Sequence, residues 1–213
     1  MPVEFIGYIG SHNQSDIIPP QGPIVDPRHI ETAAKIHENS GFDRALVAFH
    51  SNSPESILVA QHAAAVAPDL GLLIAHRPGF NAPTIAARQF ATLDNITKGR
   101  VAVHIITGGS DLELQADGDH TTKAERYART SEYLDIVRQE WRETAPFDYK
   151  GQFYDVHGAN SLVRPYRDSG IPVYFGGSSS EAIDVAGKHA DVYALCHRHT
   201  AGDRHPSRWP TAL

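Results

Sequence analysis

Short apolar runs alternate along this chain with longer amphipathic segments, and this alternation limits the possible folds more than any other feature. A strand, a helix and a second strand at this spacing form a right-handed unit with two parallel strands. The alternation therefore predicts an α/β domain built around a parallel sheet. The strand candidates are Val3–Ile9, Ala45–Phe49, Leu70–Ala75, Val101–Ile106, Val173–Phe175 and Val192–Leu195.

Residues that favour helix ends mark the boundaries of the intervening helices. Asp26 followed by Pro27 is typical of a helix start, and Gly41 suits the left-handed turn that closes a helix. Ser53 is predicted to cap the second helix, with Pro54 in its first turn. The later helices are predicted to run from Pro83 up to Gly99, over Lys123–Glu143 and over Ser179–His189.

Helical spacing also predicts which side chains face the core. Ile36 is expected inside with the first helix, and Ile85 with the third. The core-facing candidates of the helix over Lys123–Glu143 are Tyr127, Tyr133, Leu134, Val137 and Trp141. Two segments interrupt the alternation: Thr107–Thr122 is predicted to be a polar loop, and Phe147–Arg164 to contain a small hairpin turned at Lys150.

Two architectures repeat such units, an open doubly wound sheet and a (β/α)8, or TIM, barrel. Polar loops that resemble active-site loops follow several of the strands, which favours the barrel. A complete barrel typically needs ~250 residues, so this chain is short by about two units. We therefore expect an incomplete (β/α)8 barrel over residues 1–195. Residues 196–213 have no apolar periodicity and are expected to form a disordered tail.

Composition narrows the class of partner. The formal charge of −6 argues against nucleic acid and anionic membranes, which favour basic surfaces. Cys196 is the only cysteine, so an internal disulfide is excluded, and no apolar run reaches the ~20 residues of a membrane span. We expect a soluble cytoplasmic protein that acts on a small molecule. The 13 histidines show no metal-ligand spacing, so no metal site is predicted.

A glycine and serine run after the fifth strand predicts an anion site. Gly176 and Gly177 let the backbone turn sharply and approach a ligand. Ser178 and Ser179 offer hydroxyl and amide donors where the next helix begins, and such a terminus attracts phosphate. The alternative is an ordinary helix cap.

Other candidate ligand-binding residues also follow strands. Thr107 comes after the fourth strand, in a glycine-rich segment that is alternatively a simple turn. His76 and Arg77 follow the third strand. Arg77 could bind an anionic substrate, although pairing with an acidic neighbour is the favoured alternative. His50 and Ser53 follow the second strand, where Ser53 is favoured as a helix cap.

Four segments, in order, resemble the bacterial-luciferase-like flavin monooxygenases, and most closely the two-component alkanesulfonate monooxygenases. They are His76–Gly109, Ala124–Trp141, Phe147–Ala159 and Ile171–Leu195. The resemblance implies an enzyme with a luciferase-like barrel that uses reduced FMN and O2. It also implies a separate NAD(P)H:FMN reductase, a homo-oligomer, and an organosulfonate substrate cleaved to sulfite and an aldehyde.

The same resemblance implies roles for individual residues. Tyr127 matches a tyrosine that lies near the flavin phosphate, and Lys123 stands where the family usually has histidine, four residues earlier on one helical face. A lysine still offers a positive point charge to phosphate. Cofactor contacts are therefore expected from Thr107, Lys123, Tyr127, Gly176, Gly177, Ser178 and Ser179. Substrate contacts are expected from His50, Ser53, His76 and Arg77, with Ser53 in place of a cysteine of the alkanesulfonate enzymes.

Beyond Leu195 the family's usual continuation is absent, together with late strands that carry arginine and histidine of the substrate site. We therefore expect this polypeptide to have little activity and low solubility. Two alternatives remain open. One is a deazaflavin-dependent oxidoreductase on the same barrel, and the other is a non-catalytic flavin-binding fragment.

Overall fold

Strands and helices alternate through most of the computed structural model, which describes residues 3–13, 19 and 21–194. The strands are β1 (Ile6–Ile9), β2 (Arg44–Val47), β3 (Gly71–His76), β4 (Val101–Ile105), β5 (Phe147–Lys150), β6 (Asp155–Ala159), β7 (Val173–Gly176) and β8 (Val192–Ala194). The helices are α1 (Pro27–Asn39), α2 (Ser56–Val66), α3 (Pro83–Ile96), α4 (Asp111–Ala116), α5 (Lys123–Arg142) and α6 (Ser180–His189).

Six of these strands form one parallel sheet in the order β1-β2-β3-β4-β7-β8. Consecutive parallel strands joined through helices are the repeating unit of the barrel. Within the described residues β1 and β8 are the edges, so the sheet does not close. The predicted α/β fold, an incomplete (β/α)8 barrel of about six units, is confirmed.

The sheet has two faces with different contents. The outer face packs against the helices and forms the main core, which includes Leu72 and Ile74 of β3. The inner, concave face carries a smaller cluster in which Leu73 packs with Ala102 and Tyr174. Every residue of β3 is buried because both faces of this central strand are covered.

Helix α1 begins and ends as the sequence predicts. The Asp26 carboxylate accepts hydrogen bonds from the backbone N–H groups of Arg28 at 3.0 Å and His29 at 3.2 Å. Gly41 follows with a φ of 77°, in the left-handed region. The predicted burial of Ile85 in α3 is wrong, since 41% of the residue is exposed, and so is that of Ile36, of which 57% is exposed. At 3.6 residues per turn, Ile36 points almost opposite to the buried Ala34 two positions earlier.

The start of α2 differs from the prediction. Glu55 is the N-cap, and its side chain accepts the Leu58 N–H at 2.9 Å. Ser53 instead closes the preceding loop, where its hydroxyl oxygen accepts the His50 N–H at 2.8 Å. The Ser53 hydroxyl also donates to the His50 carbonyl oxygen at 2.9 Å, so it is occupied within the loop and the Glu55 carboxylate caps the helix.

The segment predicted as one long polar loop contains the short helix α4, so that prediction is wrong over Asp111–Ala116. Thr122 then starts α5 with a capping box, in which Thr122 and Glu125 each bind the other's backbone N–H. The predicted core residues of α5 are all buried: Tyr127, Tyr133, Leu134, Val137 and Trp141.

The predicted hairpin is confirmed as the antiparallel pair β5 and β6. The predicted tail at 196–213 lies outside the described residues. In the part of the chain that the structure describes, no helix combines the length and apolar character needed to cross a bilayer.

Candidate cofactor and substrate site

The loops at the carboxyl ends of β2, β3 and β4 meet at one edge of the sheet. The hydroxyl of Ser51, after β2, donates to the Glu113 carbonyl oxygen in α4 at 2.9 Å. The Ile106 N–H, after β4, donates to the His76 carbonyl oxygen at 3.0 Å. Barrel enzymes place their active sites at this edge, so the loops form a candidate site.

The first turn of α5 brings a lysine and a tyrosine to this edge. The Lys123 ammonium lies 5.9 Å from the centroid of the Tyr127 ring, a cation–π distance. The Tyr127 ring lies 6.4 Å from that of Phe175 in β7. The start of α5 therefore packs against β7 through Tyr127 and Phe175. Lys123 lies next to Tyr127 because residues four apart share one face of a helix.

Gly177 packs tightly between β7 and the start of α6. Its φ of 143° falls in the region that favours glycine. A Cβ at this position would lie 2.6 Å from the Cβ of Ala182 and 3.4 Å from the Tyr127 hydroxyl oxygen. Ser179 caps α6 by accepting the Ala182 N–H at 3.3 Å. Because Gly177 has no side chain, the backbone before α6 can lie close to the Tyr127 hydroxyl group.

The electrostatics of this corner favour negative charge. The pKa of the Glu181 carboxyl is lowered by hydrogen bonds from its own N–H and from Ser179, and by the positive charge of Lys123. The α6 terminus adds the positive end of its dipole. Lysine, serine and backbone N–H groups thus converge where the sequence predicts an anion site.

The remaining predicted cofactor residues lie beside this corner. Gly176 ends β7, and a Cβ there would lie 2.8 Å from the Ala194 carbonyl oxygen, so strand packing alone demands glycine. Ser178 is exposed next to the Ser179 cap. Thr107 is half-buried after β4, the strand that pairs with β7.

Arg77 is buried and engaged by other residues of the protein. Its guanidinium donates to the Glu113 carboxylate at 2.8 Å and to the Ser51 hydroxyl at 3.2 Å, and lies 3.9 Å from Asp117. Burial alone would raise the pKa of the Glu113 carboxyl, but the hydrogen bond and charge of Arg77 lower it below its ordinary value. The favoured alternative, pairing with an acidic neighbour, is confirmed.

His76 points away from the ligand side of the sheet. Side chains alternate along a strand, so His76 shares the outer face with Leu72 and Ile74. Its Nε2 lies 2.7 Å from the Tyr133 hydroxyl, and its ring packs edge-on against Phe90 at 5.1 Å. Burial lowers its pKa to about 4. These contacts contradict the predicted contact between His76 and substrate.

A cavity of about 250 Å³ lies at the carboxyl ends of β1 and β2. It brings the predicted His50 and Ser53 together with Tyr8, Ser11, His12 and Asn52. The His50 ring is exposed, with Nδ1 3.8 Å from the Glu113 carboxylate. The cavity therefore offers a polar wall for a small ligand.

His104 belongs to the candidate site but was not singled out from the sequence. It pairs in register with Tyr174 on the inner face, and burial lowers its pKa. Its Nδ1 is buried without a hydrogen-bond partner among the described residues. A polar residue at an inward position of an otherwise apolar strand was the available signal.

A sequence profile of the luciferase-like monooxygenases matches residues 3–204. Taken with the parallel half-barrel and the loops gathered at its carboxyl edge, this match shows that the chain belongs to the luciferase-like monooxygenase family. Among the described residues, no group of three or more histidine, cysteine or acidic side chains is placed to hold a metal ion.

Solved structures with the same fold come from several enzymes. EDTA monooxygenase from Chelativorans sp. BNC1 is 18% identical, with a TM-score of 0.77, over 89% of this chain and 55% of that one. Riboflavin lyase with modified FMN and riboflavin is 16% identical, with a TM-score of 0.77, over 92% and 54%. The coenzyme F420-dependent tetrahydromethanopterin reductase from Methanopyrus kandleri is 22% identical, with a TM-score of 0.74, over 91% and 55%. This chain thus spans little more than half the length of each.

Proposed function

We propose that the protein acts as a monooxygenase that uses reduced FMN and O2. One observation carries the proposal: Lys123, Tyr127 and the Ser179 terminus of α6 converge at the carboxyl edge of the barrel. A lysine charge and the N–H groups at a helix start are the donors that a phosphate group prefers. Family membership supports the redox chemistry.

The residues present fit FMN in two ways. Gly177 has no side chain, so a ligand can approach the backbone next to Tyr127, and the donors of Lys123 and Ser179 suit the phosphate. The unpartnered Nδ1 of His104 on the inner face calls for a polar ligand atom. Reduced FMN, when bound, supplies the two electrons that O2 activation requires.

The chain's own groups bind and orient in this proposal. Lys123, Ser178 and Ser179 would hold the phosphate, with Thr107 and Gly176 beside the rest of the cofactor. His104 stays neutral near pH 7 because burial lowers its pKa, so it offers one donor and one acceptor to the ligand. The apolar inner cluster around Leu73 excludes water from this face.

We further propose an organosulfonate as the substrate, received in the cavity that His50 and Ser53 line. For a sulfonate on a CH2 carbon, one atom of O2 becomes the aldehyde oxygen and the other becomes water. The C–S bond breaks and sulfite leaves. The proposal includes a separate NAD(P)H:FMN reductase, a homo-oligomeric state and a cytoplasmic location.

An anaerobic titration tests the cofactor. Reduced FMN should bind at least about tenfold more tightly than reduced riboflavin, which lacks the phosphate. Lys123→Gln should weaken FMN binding and leave riboflavin binding unchanged, while Lys35→Gln on the exposed side of α1 should change neither. Tighter binding of a reduced deazaflavin coenzyme would contradict the proposal and favour the deazaflavin-dependent alternative.

Sulfite release tests the reaction. With an NADH:FMN reductase and O2, an organosulfonate should yield sulfite at a low rate, and His50→Ala with Ser53→Ala should raise KM more than they lower kcat. FMN binding without sulfite release from any sulfonate would refute the proposed reaction while preserving the cofactor site. That result would favour the non-catalytic flavin-binding alternative.

A further inference from the structure

A second polar cavity, of about 310 Å³, lies at the opposite end of α5 from Lys123. The end of α5 and the segment before β7 form its wall, so it opens at the amino-terminal ends of the strands. Four arginines line it together with Trp141 and Asp168: Arg138, Arg142, Arg164 and Arg167. This arginine-lined cavity is far from the candidate cofactor site, which lies at the carboxyl ends of the strands and is called the barrel mouth below.

Most of this positive charge is not neutralised by the protein. Arg138 donates to the Asp191 carboxylate at 2.6 Å. Among the described residues, Arg142, Arg164 and Arg167 have no carboxylate within ion-pair distance, and Asp168 pairs with no arginine. Arg167 acts only at longer range on the Asp94 carboxyl, where its charge partly offsets the rise in pKa that burial causes. In a chain with a net charge of −6, such a concentration of unpaired cations is unusual.

The segment that carries two of the arginines is held in place. The Asn95 amide donates to the Arg164 carbonyl oxygen at 2.6 Å, and the Tyr166 N–H donates to the Asp94 carboxylate at 2.8 Å. The Arg167 side chain packs over Gly99, where a Cβ would lie 2.7 Å from its Nε. The segment that carries Arg164 and Arg167 is therefore fixed before any ligand binds.

The carbonyl groups at the end of α5 would by themselves repel an anion. Arg164 offsets this effect, because its guanidinium donates to the carbonyl oxygens of Glu143 and Ser161. The Trp141 indole donates to the Ala87 carbonyl oxygen at 3.0 Å and is buried. Arg142 and Arg167, the exposed arginines of the cavity, remain accessible to a ligand.

We propose that the arginine-lined cavity binds a small anion with at least two negative charges, of the phosphate class. Planar guanidinium groups bind phosphate oxygens through paired hydrogen bonds. The inference is independent of the FMN site, because the 20 residues of α5 separate the two ends by roughly 30 Å. Free pyrophosphate and the phosphate groups of a small metabolite share this chemistry.

Tryptophan fluorescence gives a direct test, because the chain has only two tryptophans. In a Trp209→Phe background the signal comes from Trp141, beside the cavity. Pyrophosphate and fructose 1,6-bisphosphate should each produce a saturable change at constant ionic strength, and sodium chloride should not. Tighter binding of the bisphosphate would identify an organic phosphate as the ligand, and tighter binding of pyrophosphate the inorganic one.

Charge-removing variants locate the binding. Arg142→Gln with Arg167→Gln should weaken the affinity about tenfold or more, and the matched lysine substitutions should retain part of it. Arg28→Gln on α1 and Lys123→Gln at the FMN site should have no effect. Thermal melts followed by circular dichroism check that each variant folds, and both arginines are also replaced singly.

Three results would overturn the proposal. They are the lack of any saturable change, an equal loss in Arg28→Gln, or a loss in Lys123→Gln that equals the loss in the arginine variants. The last result would place the binding at the barrel mouth.

Discussion

At the residue scale, Arg77 shows how a buried charge joins three loops. Its guanidinium lies within cation–π distance of two rings, at 5.2 Å from the centroid of Phe49 and 5.8 Å from that of Phe80. Only 3% of Arg77 is exposed, whereas 25% of the Glu113 side chain is. The two partners therefore lose different amounts of hydration on folding, and removing either one leaves a different residual charge.

We expect Glu113→Ala to destabilise the protein more than Arg77→Met. The first change leaves a buried cation, which costs about 3–5 kcal/mol, whereas the second leaves a carboxylate that water can reach, at a cost of about 1–3 kcal/mol. Urea unfolding measures both free energies. Glu31→Ala, in an exposed pair with His62, serves as the control and should change stability by less than about 1 kcal/mol. An equal or larger cost for Arg77→Met would contradict the prediction.

His76 gives the protein a pH-dependent stability. Its pKa in the folded state is about 4 because burial disfavours the charged ring, against 6.5 in the unfolded chain. Between these values the unfolded chain binds more protons, so stability should be constant above about pH 7 and fall as the pH drops towards 4. At about 1.4 kcal/mol per pH unit, the full effect is roughly 3 kcal/mol.

The measurement is the free energy of unfolding between pH 8 and pH 4.5. His189, whose pKa burial also lowers to about 4, adds to the same window. His76→Gln should flatten the pH dependence, since glutamine keeps a hydrogen bond to Tyr133 and does not titrate. His157→Gln, on an exposed strand, should leave the curve as it is. An unchanged slope in His76→Gln would refute the assignment.

At the element scale, one carboxylate attaches the β5–β6 hairpin to α5. Glu132 accepts backbone N–H groups from Gln152 at 2.7 Å, Phe153 at 2.9 Å and Tyr154 at 3.3 Å. Gly151 is needed at the turn because a Cβ there would lie 2.3 Å from the Glu132 carboxylate. The contacts with Glu132 therefore stabilise the hairpin more than the few hydrogen bonds between β5 and β6 do, because an isolated two-stranded hairpin is only marginally stable.

We expect Glu132→Ala to loosen the hairpin without unfolding the barrel. Loss of the acceptor for three N–H groups should raise amide hydrogen exchange at residues 152–154 by about 5- to 100-fold, and exchange in β3 should not change. Glu143→Gln, an exposed carboxylate at the end of the same helix, is the control. Protection that persists at 152–154 in Glu132→Ala would show that other contacts hold the hairpin.

At the scale of the whole molecule, α5 runs between the two proposed anion-binding sites. Lys123 stands at the barrel mouth, while Arg142 lines the cavity at the other end of the sheet. A ligand that binds only the folded chain stabilises all of it through mass action. Global stability therefore reports on the proposed cofactor.

FMN at 100 times its dissociation constant should stabilise the fold by about 2.7 kcal/mol. For a domain of this size that corresponds to a rise in Tm of roughly 5–10 °C. Differential scanning calorimetry should show a smaller rise with riboflavin at the same concentration, and a smaller rise with FMN in Lys123→Gln. Equal shifts with FMN and riboflavin would contradict a phosphate site at the start of α6.

Much of the fold was predictable because the signals are local. The Asp26–Pro27 start of α1, the buried stripe of α5 and the apolar run of β3 each follow from backbone chemistry and side-chain spacing. The errors arose where two local signals compete. Ser53 has the chemistry of a cap, yet its hydroxyl bonds to His50 in the preceding loop, and Glu55 caps the helix instead.

The candidate site was predictable only in part, for a reason of geometry. Chain order places Lys123, Tyr127 and Ser179 at the starts of helices, which is where phosphate binds. Which face of a strand a polar residue occupies depends on the register of the sheet. His76 and His104 both lie on strands, but register turns His76 towards α3 and α5 and His104 towards the concave face.

The sequence alone therefore determined the order of the six parallel strands, the helices that join them, the cap of α1 and the family, because these depend on neighbouring residues and on spacing along the chain. Only the tertiary structure decided what each charge does. Arg77 met Glu113 and Asp117 from another loop, and four arginines from α5 and the segment before β7 met in one cavity. These contacts join residues that are far apart in the chain, and a local sequence pattern does not indicate which distant residues will lie close together in the fold.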